Sequence, residues 1–186
     1  MGFVILGLLM IRSLSQYDIR NALQQKVSPF FSASLGSIQA ALKKLESLDH
    51  IVCHEVTENG RRKKIYSINQ SGTQYFKDWM LSQVAPSRLE QDVTTRLFFL
   101  GLMTMTDRLT ILNIVVVQLE ASVHEFEAAF LEANHKEIPD HLKDIAAYQL
   151  KTLELGLYYH QSMLEWFTKL SKELEAQLNG EKDEYA

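Results

Sequence analysis

Arg61-Arg62-Lys63-Lys64 places four positive charges directly after Asn59-Gly60. Four like charges on so short a ribbon repel one another, and a polyanion laid beside them relieves that cost. Upstream, Ser34, Ser37, Gln39, Lys43 and Lys44 offer hydroxyl, amide and ammonium groups along one stretch. Gly36 and Ala40 leave room there for close approach. Small hydroxyls and helix N-terminal amides suit phosphate oxygens. A glutamine can hydrogen-bond a base edge, with adenine its usual bidentate partner. These residue types point to contact with nucleic acid.

Residues suited to catalysis do not assemble. The sequence has no G-x-S-x-G, P-loop, G-x-G-x-x-G or H-E-x-x-H. Cys53 and His54 are neighbours in a strand-like run, so they point to opposite faces and cannot pair through adjacency. His135 and His141 straddle Pro139 with no cysteine or close acidic residue to complete a metal set. No enzyme activity, metal or cofactor is expected. Trp79 is a candidate platform for a flat aromatic ligand, and His160 a candidate ligand contact or register-setting residue within a helical seam.

Composition sets the frame. The chain has 186 residues, 46% hydrophobic and 23% charged, which is a globular composition. One cysteine, Cys53, excludes an intrachain disulfide. The net charge of −4 hides a split. Residues 1–85 hold ten Lys/Arg against six Asp/Glu, a balance of +4; residues 86–186 hold nine against seventeen, a balance of −8. Such asymmetry suggests two modules with different partners. The apolar run Phe3–Ile11 is too short to span a bilayer, and no later unbroken apolar run reaches eighteen residues. A soluble, cytoplasmic protein without membrane partners is expected.

The elements that must position the polar residues follow from periodicity. Phe3–Ile11 reads as a short buried helix. Ser15-Gln16-Tyr17-Asp18 has the form of a capping box, followed at helical spacing by Ile19, Ala22, Leu23 and Val27, with Pro29 in the loop that ends this helix. Ser34 or Ser37 caps a third helix with an apolar face of Ile38, Ala41, Leu42, Leu45 and Leu48. Residues 51–56 and 64–68 read as two strands joined at Asn59-Gly60, a turn signal because both residues tolerate positive φ. A helix from about Gln70 to Ser82 closes the module. The order is that of a winged helix-turn-helix, with the third helix as groove reader and the basic hairpin as wing.

The remainder is helical in pattern. Met105, Leu109, Leu112, Val116, Leu119, Val123, Phe126 and Phe130 alternate intervals of four and three, a coiled-coil seam in a helix roughly 39 Å long. After Pro139 a second seam runs through Ala146, Leu150, Leu153, Leu157, His160, Leu164, Phe167, Ser171, Leu174 and Leu178. The polar tail from Gly180 is expected to fray. The seams can close within one chain or between two. Pairing between chains, through Leu109, Leu112, Val116, Leu119, Val123, Phe126, Phe130, Leu157, Leu164 and Phe167, supplies the two reading heads that a palindrome needs. The expected fold is mainly α. Residues 1–85 form a winged helix-turn-helix with a two-stranded wing, and residues 86–186 a long-helix coiled-coil dimerisation domain.

On these residues the chain resembles the PadR family of bacterial transcriptional regulators. The matching pieces are Ile5-Leu6-Gly7-Leu8-Leu9, Leu14-Ser15-Gln16-Tyr17-Asp18-Ile19, Ser34-Leu35-Gly36-Ser37-Ile38 running into Leu42, Leu45 and Glu46, and Gly60 to Tyr66 followed by Ile68 and Gly72. Together they cover about residues 3–82. Gln16 stands where a glycine is common, and Gln39 where a tyrosine is usual. The resemblance implies a homodimeric winged-helix repressor on a palindromic double-stranded operator. It places Tyr17 and the start of the third helix near the DNA backbone and the basic wing on the flanking groove. The long C-terminal helices are similar to the longer members, including activators of the AphA-like type. A sequence-specific repressor released by a small aromatic effector or a partner is therefore expected. An activator, or an adaptor that has lost DNA binding, is the alternative.

Overall fold

A computed structural model describes residues 1–24, 34–58 and 61–184. Val27, Pro29 and the Asn59-Gly60 turn lie outside the described residues, as do positions 185 and 186. By its contacts the chain forms two compact units: residues 1–82 with 90–104, and residues 83–89 with 105–186.

The first unit begins with α1 (Gly2–Ile11), whose residues Val4 to Leu9 are all buried. Its apolar residues surround the axis, so it serves as a core helix. Phe99 packs so closely on Gly7 that an added Cβ would lie 2.6 Å from its ring. A two-residue strand β1 (Leu14–Ser15) leads into α2 (Gln16–Ala22). The expected capping box is formed: Ser15 Oγ accepts from the Asp18 amide at 3.1 Å, and Asp18 Oδ2 accepts from the Ser15 amide at 3.0 Å. Ile19 and Leu23 are buried behind it.

The third helix α3 (Leu35–Ser47) starts at Ser34, whose Oγ accepts from the Ser37 amide. Ile38, Leu42 and Leu45 are buried as the stripe predicts, but Leu48 is exposed. It is the C-cap, so it has left the helical stripe. Asp49 follows with φ of 53°. Its amide reaches the Glu46 carbonyl and the His50 amide the Leu45 carbonyl, the Schellman arrangement. Asn69 Nδ2 donates to the Asp49 carbonyl at 2.7 Å and braces this turn.

The hairpin is longer than the sequence suggests. It consists of β2 (Ile51–Glu58) and β3 (Arg61–Ile68), antiparallel from Ile51 opposite Ile68 to Glu58 opposite Arg61. β1 joins the far side of β3, giving the order β1-β3-β2. Two residues are too few to show a period, so the wing is part of a three-stranded sheet that patterning does not reveal. Next, α4 (Gln70–Met80) begins at Asn69, whose Oδ1 accepts from the Gly72 amide. Phe76 and Met80 are fully buried. A 3₁₀ turn at Pro86–Arg88 precedes α5 (Leu89–Phe99), and residues 90–99 of that helix pack in the first unit. The sequence division at Pro86 follows charge and proline; the contacts instead assign those residues to the N-terminal unit. Phe99 lies edge-on to Phe76 at 5.9 Å between ring centres.

The second unit is dominated by α6 (Met105–Asn134) and α7 (Lys143–Glu184), of 30 and 42 residues, which pack on each other. A short turn joins them, so they form an antiparallel hairpin. Gly180, expected to begin a frayed tail, lies inside α7. Leu112, Leu119 and Val123 are buried as the seam predicts, and Ile111, Val115 and Ser122 are buried with them. A straight helix with 3.6 residues per turn presents a wider stripe than a strict seam. By length and composition α6 could cross a bilayer, with a mean hydropathy of 1.3 over its most apolar window. A search for an unbroken apolar run misses it. A third of that window (33%) is buried within the protein.

Candidate nucleic-acid interface

The N-terminus of α3 is built by two serines with different duties. Ser34 Oγ accepts from the Ser37 amide at 3.1 Å, and Ser37 Oγ donates to the Ser34 carbonyl at 2.8 Å. The Ser37 hydroxyl proton is thus engaged within the cap. Ser34 Oγ is an acceptor in that bond, so its own proton can be donated outward. Ser34, Gly36, Ser37, Gln39, Lys43 and Lys44 are all exposed. Among the described residues, an added Cβ at Gly36 would have only Ser34 Oγ within reach, at 4.0 Å. Helix polarity makes such an end attractive to a phosphate. Leu35 is also exposed, at 47%. Sequence reasoning passes over it because it is apolar, yet an exposed apolar side chain there can meet a thymine methyl.

The basic run is strand, and this changes its geometry. The run lies at the start of β3, so the side chains of Arg62, Lys63 and Lys64 alternate between the two faces of the hairpin. Arg62 and Lys64 are exposed and share one face. Glu55 stands opposite Lys64 across the strands. Lys63 is on the other face, with its Nζ 3.7 Å from Asp18 Oδ2. Arg62, Lys63 and Lys64 are therefore less crowded than the sequence suggests, and Lys63 is engaged within the domain. Asp18 is held below the usual carboxylate range, first by its hydrogen bond with Ser15 and further by Lys63, with some opposition from burial. Tyr17, beside it on the first turn of α2, is 65% exposed.

The two candidate ligand residues are occupied internally. The Trp79 indole is stacked on Phe3, at 4.3 Å between centres and 8° between planes, and the Arg96 guanidinium lies 5.1 Å from its centre. His160 is buried; its Nδ1 is 2.8 Å from the Gly156 carbonyl and its ring 4.7 Å from that of Phe126. Both rings have partners within the chain. Among the described residues no three His, Cys, Asp or Glu side chains group as a metal set.

Sequence reasoning also misses Arg96, which is 1% exposed. Its Nη1 donates to the Ser82 carbonyl at 2.7 Å and its Nη2 reaches Ser82 Oγ at 3.2 Å. Burial pushes this guanidinium below its ordinary value, and Asp92 pulls it back up. No short motif announces such a residue; only its position on a buried helix face does.

A capped third helix with an exposed polar face, followed by a basic antiparallel ribbon, is the arrangement of a winged helix-turn-helix. Residues 5–78 match the profile of the transcriptional regulator PadR-like family. This winged helix is similar to that of PadR-like transcriptional regulators, a match over 74 of the 186 residues. Among curated proteins it is similar to the negative transcriptional regulator PadR of Bacillus subtilis. The identity is 24% over 131 residues, covering 69% of this chain and 71% of that protein. Among solved structures it is similar to Bacillus subtilis PadR in complex with operator DNA. There the identity is 21%, the coverage 93% of this chain and 98% of that one, and the TM-score 0.44. It is also similar to smu.1604c of Streptococcus mutans, with 24% identity, 96% and 98% coverage and a TM-score of 0.43. The PadR-like match spans α1 to α4, the segment that carries the exposed serines, Gln39 and the wing.

Proposed function

We propose that this PadR-like protein is a cytoplasmic, homodimeric, sequence-specific repressor that binds a palindromic operator. The carrying observation is the exposed, Ser34-capped start of α3 in one domain with a wing that projects Arg62 and Lys64 from one face. In this reading Ser34, Ser37 and Gly36 hold a phosphate, and Tyr17 contacts the backbone close by. Gln39 and Leu35 read base edges, and Lys43 and Lys44 follow the strand. The wing, with Arg61, Arg62 and Lys64 and lesser help from Lys63, lies on the flanking groove. The Bacillus subtilis relative is called a negative regulator, which favours repression over activation.

Two copies joined through the helical unit would hold two reading heads about one helical turn of DNA apart, or a multiple of that. The long apolar helices α6 and α7 support this reading. Much of the expected seam, including Phe126, His160 and Phe167, is used between α6 and α7 of one chain. The dimer reading therefore needs further surface. Release from DNA is assigned to a small aromatic effector or a partner, on the family resemblance.

A mobility shift with the DNA upstream of the protein's own gene tests the reading. Binding that falls steeply with salt and survives competition by unrelated DNA supports it. Purification with a protein partner and no shift on any genomic fragment favours the adaptor. Titration of aromatic acids into the bound complex tests release, and silence across a broad panel removes the effector.

A further inference from the structure

The reading helix α3 is gripped at its far end, away from the serines that cap it. Contacts from the start of α4 converge there on Asp49 and His50. Asn69 Nδ2 donates to the Asp49 carbonyl at 2.7 Å. The Asn69 amide donates to the His50 carbonyl at 3.3 Å. His50 Nδ1 lies 3.0 Å from Ser71 Oγ. The His50 ring stacks on that of Tyr75, at 4.3 Å between centres and 15° between planes. The His50 carbonyl also leaves no room for a Cβ at Gly72, so the two backbones touch. Asp49 itself has φ of 53°. That conformation costs a non-glycine residue energy and persists where its surroundings enforce it.

Asn69 does two jobs with the two ends of one amide. Its Oδ1 accepts from the Gly72 amide at 2.8 Å and starts α4. Aspartate, serine or threonine would cap as well. Its Nδ2 adds nothing to the cap. Among good caps, only asparagine sets an N–H donor beside the acceptor.

We propose that Asn69 is a positioning residue for DNA reading: its donor end locks the C-terminal turn of α3 and so fixes the angle between the reading helix and the wing. The proposal rests on the sequence-specific DNA binding proposed above and names a residue that acts through α3. Its place in the chain suits the role. His50 precedes Ile51, the first residue of β2, and Asn69 follows Ile68, the last of β3. Ile51 and Ile68 are opposite each other in the sheet. The lock therefore sits where α3 meets the base of the wing. Leverage makes it matter. From Leu35 to Ser47 the helix is about 18 Å long, so a tilt of about 5° at the lock moves its first turn by about 1.6 Å. Hydrogen bonds to base edges do not survive a shift of that size. Phosphate contacts from flexible lysines do. Loss of the lock should cost sequence discrimination and spare non-specific binding.

The test compares Asn69→Ser with Asn69→Ala in the full-length protein. Serine keeps a cap for Gly72 but is too short to reach the Asp49 carbonyl as well; alanine loses both bonds. Hydrogen exchange without DNA reads the lock itself. The Asp49 and His50 amides, bonded to the Glu46 and Leu45 carbonyls, should exchange about ten-fold faster in Asn69→Ser, while the Gly72 amide keeps its protection. Binding is then measured to the DNA upstream of the protein's own gene and to an unrelated duplex of equal length. The ratio of the two affinities should fall about ten-fold in Asn69→Ser, with the salt slope unchanged and the melting temperature close to the parent's. Asn69→Ala should show the same fall in the ratio and a lower melting temperature. A merely structural asparagine would give another pattern: Asn69→Ala loses stability and both variants keep the parent's ratio. That pattern, or unchanged exchange at Asp49 and His50, would overturn the proposal. A parent protein that does not discriminate between DNA sequences would overturn the DNA reading, and this role with it, whatever the exchange shows.

Discussion

Lys63 Nζ stands 3.7 Å from Asp18 Oδ2, so one charge of the basic wing is tied to the capping box that starts α2. The same carboxylate accepts from the Ser15 hydroxyl at 2.6 Å and from the Ser15 amide. One aspartate thus links a helix cap, the strand β1 and the wing. The wing thereby touches the start of α2 through a contact within the domain.

That link has a pH dependence of definite sign. The folded state holds the Asp18 carboxyl below its ordinary value. Its contribution is therefore fully present above the unfolded value of roughly 4 and lost as the pH falls through the lower folded one. Asp18→Asn should flatten the acid limb of the stability curve, measured by urea unfolding between about pH 5 and pH 2. Ser15→Ala should cost about 1 kcal/mol at neutral pH, the usual loss for a helix cap.

The wing residues should separate by face. Arg62→Ala and Lys64→Ala should each weaken operator binding and lower the salt slope by about one, as expected for a lost phosphate contact. Lys63→Ala should change the slope less and the melting temperature more. Equal slopes for all three variants would contradict the division of faces.

Gln39→Ala should alter which operator sequences are preferred, with little effect on the salt slope. Selection from random DNA by wild type and variant would show it. An unchanged preference would remove Gln39 from the base-reading set. Leu35→Ser should weaken selection for thymine at one position and leave other positions alone.

Arg96 should be structural. Arg96→Ala leaves the Ser82 carbonyl without its 2.7 Å donor and opens a cavity against Trp79. A loss of about 2–4 kcal/mol is expected for such a buried polar residue, read from the denaturation midpoint. Gly72→Ala should also destabilise, because the new Cβ would run into the His50 carbonyl oxygen. Backbone cannot step aside as a side chain can, so about 1–3 kcal/mol is expected there.

Much of the reading head is legible from local signals. The Ser15–Asp18 box, the Ser34 cap and the Ile38–Leu42–Leu45 stripe each depend on residues within one or two turns. Local chemistry determines them wherever the segment packs. The basic run and the charge split at Pro86 are likewise plain in the sequence. Other features are not local. β1 has two residues, and pairing with Tyr66 and Ile65 alone makes it a strand. Lys63 differs from Arg62 only through the pleat and through Asp18, 45 positions earlier. Residues 90–99 join the N-terminal unit because Phe99 and Arg96 find Gly7, Phe76, Trp79 and Ser82 there.

The same division holds in the helical half. The sequence by itself determined that two long helices with heptad rows follow the winged helix, because periodicity needs only side-chain spacing on a helix. It could not say which row would be covered, since α7 carries two. Tertiary packing decided that: α6 takes the row with His160 and Phe167, where Gly156 lets Phe126 lie against the backbone. The row with Tyr148, Leu155 and Trp166 is left exposed. Which apolar face is spent inside a chain depends on the shape of what packs against it, and only the folded molecule contains that shape.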